Sequence, residues 1–298
     1  RVSDLLSGAA LGADGLAAVV ALAAEVKRDP DRVRGALAGR SLGLYFEKPS
    51  LRTWVSSDVA AADLGMHTVL IREDQTGLGT RESLEDVGRV LDRYLDALAM
   101  RVFSHSDLAR VAAVMAGPVV NLLSDREHPC QAVADLVTIA EHRPLAGARV
   151  AFVGDGNNVC HSLALGVALS GGSLAVAAPP GHEPAADVLA RARESGEVAV
   201  GEDPAEAVRG ADVVYTDVWA SMGQESEAED RRRRFAGYRV DSDLFDLAAP
   251  DAIFLHCLPA HRGEEVTAEV VEHPRSRVFD QAENRLHAFK AILLHLLG

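Results

Sequence analysis

The residues with chemistry to offer fall into seven short clusters, most of them at the end of an apolar run. Phe46-Glu47-Lys48-Pro49-Ser50-Leu51-Arg52-Thr53 comes first. Free N–H groups at a helix start, the Ser50 and Thr53 hydroxyls and the Arg52 guanidinium together make a phosphate cradle. An N-cap Ser beside a surface Arg has the same spacing. Arg101 closes the apolar run Ala97-Leu98-Ala99-Met100. Strand C-termini face the ligand crevice of open α/β sheets, although an Arg at such an edge also serves as an ordinary ion-pair partner. His128 and Gln131 are three apart at a predicted helix start. An imidazole N–H and an amide can polarise a carbonyl and hold its developing oxyanion; the alternative is a capping His and a solvated Gln.

Val153-Gly154-Asp155-Gly156-Asn157-Asn158-Val159 is the first half of a dinucleotide fingerprint. Its last Gly is replaced by Val159, and Ala177-Ala178-Pro179-Pro180 stands where an acidic residue would end the next strand. A nicotinamide dehydrogenase is therefore disfavoured. Asp217 in Asp217-Val218-Trp219-Ala220-Ser221-Met222-Gly223-Gln224 is a fixed anion suited to an ammonium, in a loop able to bend over a ligand; the alternative is a polar loop with a core Trp219. Cys257 sits in His256-Cys257-Leu258-Pro259-Ala260-His261. Adjacent residues of an extended chain point to opposite faces, so His256 is not a natural base for that thiol. Arg285, in the last cluster, is expected to start the final helix.

These clusters have to be positioned by an alternation of strands and helices. Strands are predicted at 42–46, 67–71, 97–102, 119–122, 149–153, 174–177, 198–200, 213–216 and 253–256. Helices are predicted near 53–64, 83–91, 107–115, 132–141, 159–170, 185–195, 205–209, 264–271 and 281–297. Such alternation implies α/β architecture with mainly parallel sheets flanked by helices. The 298-residue length predicts two domains, and Pro144-Leu145-Ala146-Gly147 is the expected step between them, giving 1–143 and 144–278.

The chain carries 30 Lys plus Arg against 44 Asp plus Glu, a formal net charge of −14. That balance argues against nucleic acid or an anionic membrane as partner, and an anionic substrate needs cations gathered locally. The four arginines at 231–234 follow a block of acids and read as a solvated helix face. Three widely spaced cysteines fit a reducing cytoplasm better than a disulfide framework or a zinc site. The chain opens Arg1-Val2-Ser3-Asp4, which is not expected to be a signal peptide; without Met, it is expected to have been trimmed.

Taken together, the clusters resemble the aspartate/ornithine carbamoyltransferase family, and its ornithine branch in particular. The resemblance lies in FEKPSLRT, RVFSH, HPCQAVADL, GDGNNV, DVWASMGQE, HCLPAHRGEE and FDQAENRLH, in that order along the chain. It implies transfer of the carbamoyl group of carbamoyl phosphate to the side-chain amine of L-ornithine, giving L-citrulline and phosphate. It also implies no metal or cofactor, and a homotrimer or an assembly of trimers. The first domain would bind carbamoyl phosphate, with a C-terminal helix at about 279–298 returning to it, and the second would bind ornithine. Ser50, Leu51, Arg52, Thr53, Gln75, Arg101, His128, Gln131, Cys257, Leu258 and Arg285 would line the carbamoyl phosphate site. Asn158, Asp217, Ser221 and Met222 would hold ornithine, and Arg101, His128, Gln131, Cys257 and Asp217 would carry catalysis.

Some positions depart from the family pattern. Leu51 replaces the more frequent Thr, losing a hydroxyl but keeping its N–H. Trp54 stands where an Arg usually follows Thr53, ahead of Ser56-Ser57-Asp58. Gln75 matches the residue donated to a neighbouring subunit only after a two-residue shift. Trp54 motivates a rival, a paralogue carbamoylating lysine, putrescine or an acylated ornithine. A non-catalytic interaction protein on the same fold would be expected to have lost some of Arg52, Arg101, His128 and Asp217, and all four are present. The expectation with most at stake is that Arg52, Arg101 and Arg285 meet around one small anion.

Overall fold

A computed structural model describes residues 4–73, 81–220 and 228–298, so Gln75, Ser221 and Met222 lie outside the described residues. The chain forms two compact units, Arg1–Val137 with Glu283–Gly298, and Thr138–Ala282. The 144–147 step falls inside the second. Among the described residues, no helix is long and apolar enough to cross a membrane.

The first unit holds a parallel sheet of β1 (Ser41–Phe46), β2 (His67–Arg72), β3 (Ala97–Arg101) and β4 (Val119–Leu123), in the order β2-β1-β3-β4. Its helices are α1 (Gly12–Arg28), α2 (Leu51–Asp63), α3 (Leu84–Leu91), α4 (His105–Val114) and the start of α5 (Pro129–Ala140). β1, β3 and β4 are almost continuously apolar and buried, as strands covered on both faces must be. The strand order reverses between β1 and β3, where Phe46 pairs with Arg101. Outside the C-terminal ends of such a pair, side chains from two loops converge on a crevice.

The second unit repeats the design with β5 (Arg149–Val153), β6 (Ser173–Ala177), β7 (Glu197–Gly201), β8 (Val213–Thr216) and β9 (Ile253–His256), all parallel, in the order β7-β6-β5-β8-β9. Here the order reverses between β5 and β8, where Val153 pairs with Thr216. The helices are α6 (Asn158–Leu169), α7 (Ala186–Arg193), α8 (Pro204–Val208), α9 (Ala228–Arg234), α10 (Ser242–Phe245) and α11 (Ala268–Val271). The last helix, α12 (Val278–Leu297), runs back into the first unit. There Lys27 Nζ of α1 donates to Asn284 Oδ1 at 2.9 Å, and Lys290 pairs with Asp63 of α2.

Several local expectations are corrected. The helix α1 has no counterpart in the strand–helix reading. The helix expected at 264–271 begins only at Ala268. Val266 instead bridges Val240 and Arg262, and the Glu265 carboxylate takes the His261 N–H at 2.6 Å, which holds that stretch as a turn. The final helix starts at Val278, so Arg285 lies within it, nearly two turns from its first residue, and not at its end. Arg231 is 8% exposed, so the run at 231–234 is not a uniformly solvated face.

Candidate functional site

In the first unit the chemistry gathers on one hydroxyl. Ser50 occupies the N-cap position of α2 but makes no side-chain cap bond. Its Oγ donates instead to Thr53 Oγ1 at 2.9 Å. Arg285 Nη2 reaches the same Thr53 oxygen at 3.0 Å, and Arg101 Nη1 at 3.5 Å. Arg285 Nη1 also donates to Gln131 Oε1 at 2.9 Å, and Gln131 Nε2 donates to Asp135 at 2.8 Å. Thr53, Gln131, Arg101 and Arg285 are all buried. Four elements, β3, α2, α5 and α12, therefore deliver two guanidinium groups, an amide and two hydroxyls to one place.

Arg52, the third guanidinium expected here, directly precedes Thr53. It is half-buried, and its side chain takes no hydrogen bond or ion pair among the described residues. The third cation beside the pair is Lys48, which the sequence reading left aside. The Lys48 ammonium lies 4.4 Å from the centre of the Phe103 ring. Burial, and then the Arg101 charge, push its pKa down. Glu47 ties the two strand ends together: its N–H donates to Arg101 O at 2.9 Å, and its carboxylate accepts the Phe103 N–H at 2.6 Å.

His128 is buried at the edge of this cluster. Burial holds its pKa well below the usual imidazole range, and the charges of Arg285, Arg101 and Lys48 add to the effect. The ring is therefore neutral near pH 7, and the field around it is positive. A site of buried cations around a neutral imidazole favours an anion with an adjoining carbonyl. Cys130, two residues on, is excluded as a nucleophile. Burial pushes its thiol up to about 12, and Sγ donates to Asn121 O at 3.4 Å. Leu51 is 73% exposed at the first position of α2 and brings no side chain to the cluster.

In the second unit Asp217 follows β8 and is 5% exposed. Asn157 Nδ2 donates to Asp217 Oδ2 at 2.8 Å, while Cys257 Sγ and the Val218 N–H donate to Oδ1 at 3.0 and 2.8 Å. Asn157 is also the N-cap of α6, its Oδ1 accepting from Val159 and Cys160. Asn158, the predicted ligand, is the first residue of that helix and half-buried. The two glycines of the partial fingerprint have structural reasons here. Gly154 has φ 130°, and a Cβ on Gly156 would lie 2.2 Å from Pro184 N. Gly156→Ala is thus expected to lower stability by about 1–3 kcal/mol, because the opposing atoms are backbone and cannot step aside. Urea unfolding of the variant measures this directly.

The adjacent His256 and Cys257 side chains diverge. The Leu258 N–H donates to His256 Nδ1 at 2.9 Å, which leaves the ring proton on Nε2, facing Glu265 Oε1 at 3.1 Å. Glu265 is fully buried and was not singled out in the sequence, where it read as part of a helix. Leu258, which makes that bond, sits at φ 59°, the left-handed region that few non-glycine residues adopt. Among the described residues, two trios, Asp217–His256–Cys257 and His261–Glu264–Glu265, bring ligand-type atoms within 4.8 Å of one another. In the first, the thiol already donates to Asp217 and the imidazole is held between Leu258 and Glu265. In the second, Glu264 is paired with Arg232 at 3.0 Å.

Each half of the chain matches a family of known proteins. Residues 3–141 match the family described as aspartate/ornithine carbamoyltransferase, carbamoyl-P binding domain. Residues 146–296 match its Asp/Orn binding domain. The chain is 52% identical over 290 residues to an ornithine carbamoyltransferase of Parafrankia sp. (strain EAN1pec), covering 94% of this chain and 92% of the relative. It is 50% identical over 305 residues to that of Hyperthermus butylicus, covering 99% and 97%. Among solved structures, ornithine carbamoyltransferase from Pyrococcus furiosus superposes with a TM-score of 0.96 at 45% identity, covering 100% of this chain and 98% of that one. The Thermus thermophilus enzyme gives 0.90 at 48%, covering 99% of each.

Proposed function

The chain belongs to the aspartate/ornithine carbamoyltransferase family, and on that premise we propose that it moves the carbamoyl group of carbamoyl phosphate to the side-chain amine of L-ornithine, forming L-citrulline and phosphate. The observation that carries this is the convergence of Arg101 and Arg285 on Thr53 beside a neutral His128. Carbamoyl phosphate is a small dianion next to a carbonyl, and the first unit presents cations and hydroxyls next to carbonyl-binding groups. Ser50, Thr53, the Leu51 N–H, Arg52 and Lys48 serve the phosphate. Arg101 and Arg285 span phosphate and carbamoyl oxygens, and His128 and Gln131 hold the carbamoyl group. In the second unit Asp217 takes the α-ammonium of ornithine, with Asn158, Ser221 and Met222 around its carboxylate. Cys257 and Leu258 line the path of the side-chain amine, and Gln75 is the candidate residue donated by a neighbouring subunit.

The reaction needs no side-chain nucleophile and no cofactor. The lone pair of the neutral amine attacks the carbamoyl carbon, and the bond from that carbon to the phosphate oxygen breaks. The departing phosphate is basic enough to accept the amine proton. What the protein supplies is positioning and stabilisation of two developing negative charges.

Trp54 does not argue for another acceptor. It is 44% exposed on α2, with Leu51, Val55 and Val59, while Thr53 is buried. A helix turns about 100° per residue, so these four form an apolar stripe on the side away from the cluster. That stripe supports a homotrimer or an assembly of trimers, in which α2 is covered by another copy. The three free cysteines support a reducing, cytoplasmic setting. The acceptor assignment is tested by steady-state assays with ornithine, lysine, putrescine and acetylornithine at saturating carbamoyl phosphate. Ornithine is expected to exceed lysine about 10–200-fold in kcat/KM, the usual range for one methylene in a fitted site. Equal use of two acceptors would overturn the assignment.

A further inference from the structure

Arg231 is the one member of the 231–234 run that leaves the surface. Its neighbours pair in the open, Arg232 with Glu264 and both Arg233 and Arg234 with Asp230. Arg231 Nη1 instead donates to Asp155 Oδ2 at 2.9 Å and to the Trp219 carbonyl at 2.8 Å. Both charged residues are 8% exposed. Phe235, one turn later and fully buried, fills the space behind them. Its ring stacks 5.9 Å from Trp219 and meets His182 edge-on at 4.8 Å. His182 lies 3.6 Å from the other oxygen of Asp155, and its carbonyl accepts the Gly156 N–H at 2.8 Å.

The consequence is a closed ring of bonds around Asp217. Segments 154–157 and 217–219 leave the C-terminal ends of the neighbouring strands β5 and β8, which pair at Val153 and Thr216. Asn157 joins the two segments directly at Asp217. Arg231 joins them a second time, Asp155 on one side and the Trp219 carbonyl on the other. One tie leaves a loop free to rotate about it, whereas two ties separated along the chain do not. Arg231 also sets the local charge. Burial pushes the Asp155 carboxyl up, Arg231 pulls it down, and the nearby Asp217 charge adds to the rise.

We infer that Asp155 and Arg231 form a positioning pair for the acceptor: they touch no reacting atom, but they hold Asp217 and its surroundings in the geometry that recognises the ornithine α-ammonium. The inference rests on the reading of Asp217 as the acceptor's ligand.

The test is steady-state kinetics of Arg231→Gln, Asp155→Asn and the double variant, with each substrate varied at saturation of the other, beside Asp217→Asn and the surface control Arg233→Gln. The pair predicts an ornithine KM raised about tenfold in each single variant, equivalent to about 1.4 kcal/mol, with the carbamoyl phosphate KM within about twofold. The double variant should resemble the singles, because residues of one network do not act additively. Arg233→Gln should match the unmodified protein. Arg231→Gln takes the guanidinium away from a buried carboxylate; where it fails to fold, Asp155→Asn and the neutral double variant carry the test. Ornithine KM unchanged in the pair variants, or both KM values rising together, overturns the inference. If Asp217→Asn itself leaves ornithine KM unchanged, the acceptor reading falls and the pair falls with it. If only the pair variants are silent, the pair alone is wrong.

Discussion

Arg101→Ala is expected to lower kcat/KM for carbamoyl phosphate by about 10³-fold, at the upper end of what removal of one preorganised donor costs. The size follows from the surroundings. Arg101 closes β3 opposite Phe46 and is 9% exposed. A charge-assisted bond made there is not diluted by water, and no flexible surface cation can replace it. The fold should survive, because the lost side chain belongs to a cluster that crowds like charges, and its removal relieves that repulsion. A second readout follows from the same geometry. Arg101 is one of three cations that depress His128, so the imidazole pKa should rise in the variant. Proton NMR of the ring reports this apart from turnover. Retained activity at an ordinary carbamoyl phosphate KM would remove Arg101 from the site.

Parallel sheets and the placing of functional clusters at strand ends were legible in the sequence. Apolar runs such as those of β1, β3 and β8 mark buried strands wherever they occur, and a crossover must carry the chain back to the same sheet edge. The meeting of Arg101 and Arg285 was legible from the motifs, but other pairings between distant segments were not. Lys48 beside Pro49 looks like any surface lysine until the Phe103 ring is placed over it. Arg231 sits in blocks of alternating charge that suit a solvated helix, and only Asp155, 76 positions earlier, explains its burial. Asn157 and Asn158 offer the same amide; which one faces Asp217 depends on where α6 begins. Glu265 read as part of a helix because its acceptor role for His256 is a tertiary property. Arg285 shows a milder case: the residue was identified, but its position was not, since a helix start three residues earlier leaves no mark in apolar periodicity.

Asp217→Asn is expected to raise the ornithine KM about 10²-fold or more, with much less effect on carbamoyl phosphate. The substitution is nearly isosteric, so the effect comes from charge and from hydrogen-bond polarity. Asp217 accepts three bonds, from Asn157 Nδ2, the Cys257 thiol and the Val218 N–H. An amide can accept only through its oxygen. If its NH₂ faces Asn157, two donors meet, and Asn157 cannot turn over because its own Oδ1 caps α6. If its NH₂ faces Cys257 and Val218, it meets the backbone N–H, which has no freedom at all. Either way a buried donor loses its partner, at a cost of about 1–3 kcal/mol, and the fixed charge opposite the ammonium is gone as well. The first loss falls on stability and the second on the acceptor's affinity, whereas the groups on β3, α2, α5 and α12 proposed for carbamoyl phosphate are untouched. Isothermal titration of carbamoyl phosphate, with steady-state assays in ornithine, separates the two affinities. An equal fall in both would mean that Asp217 supports the site as a whole and is not the group that reads the acceptor.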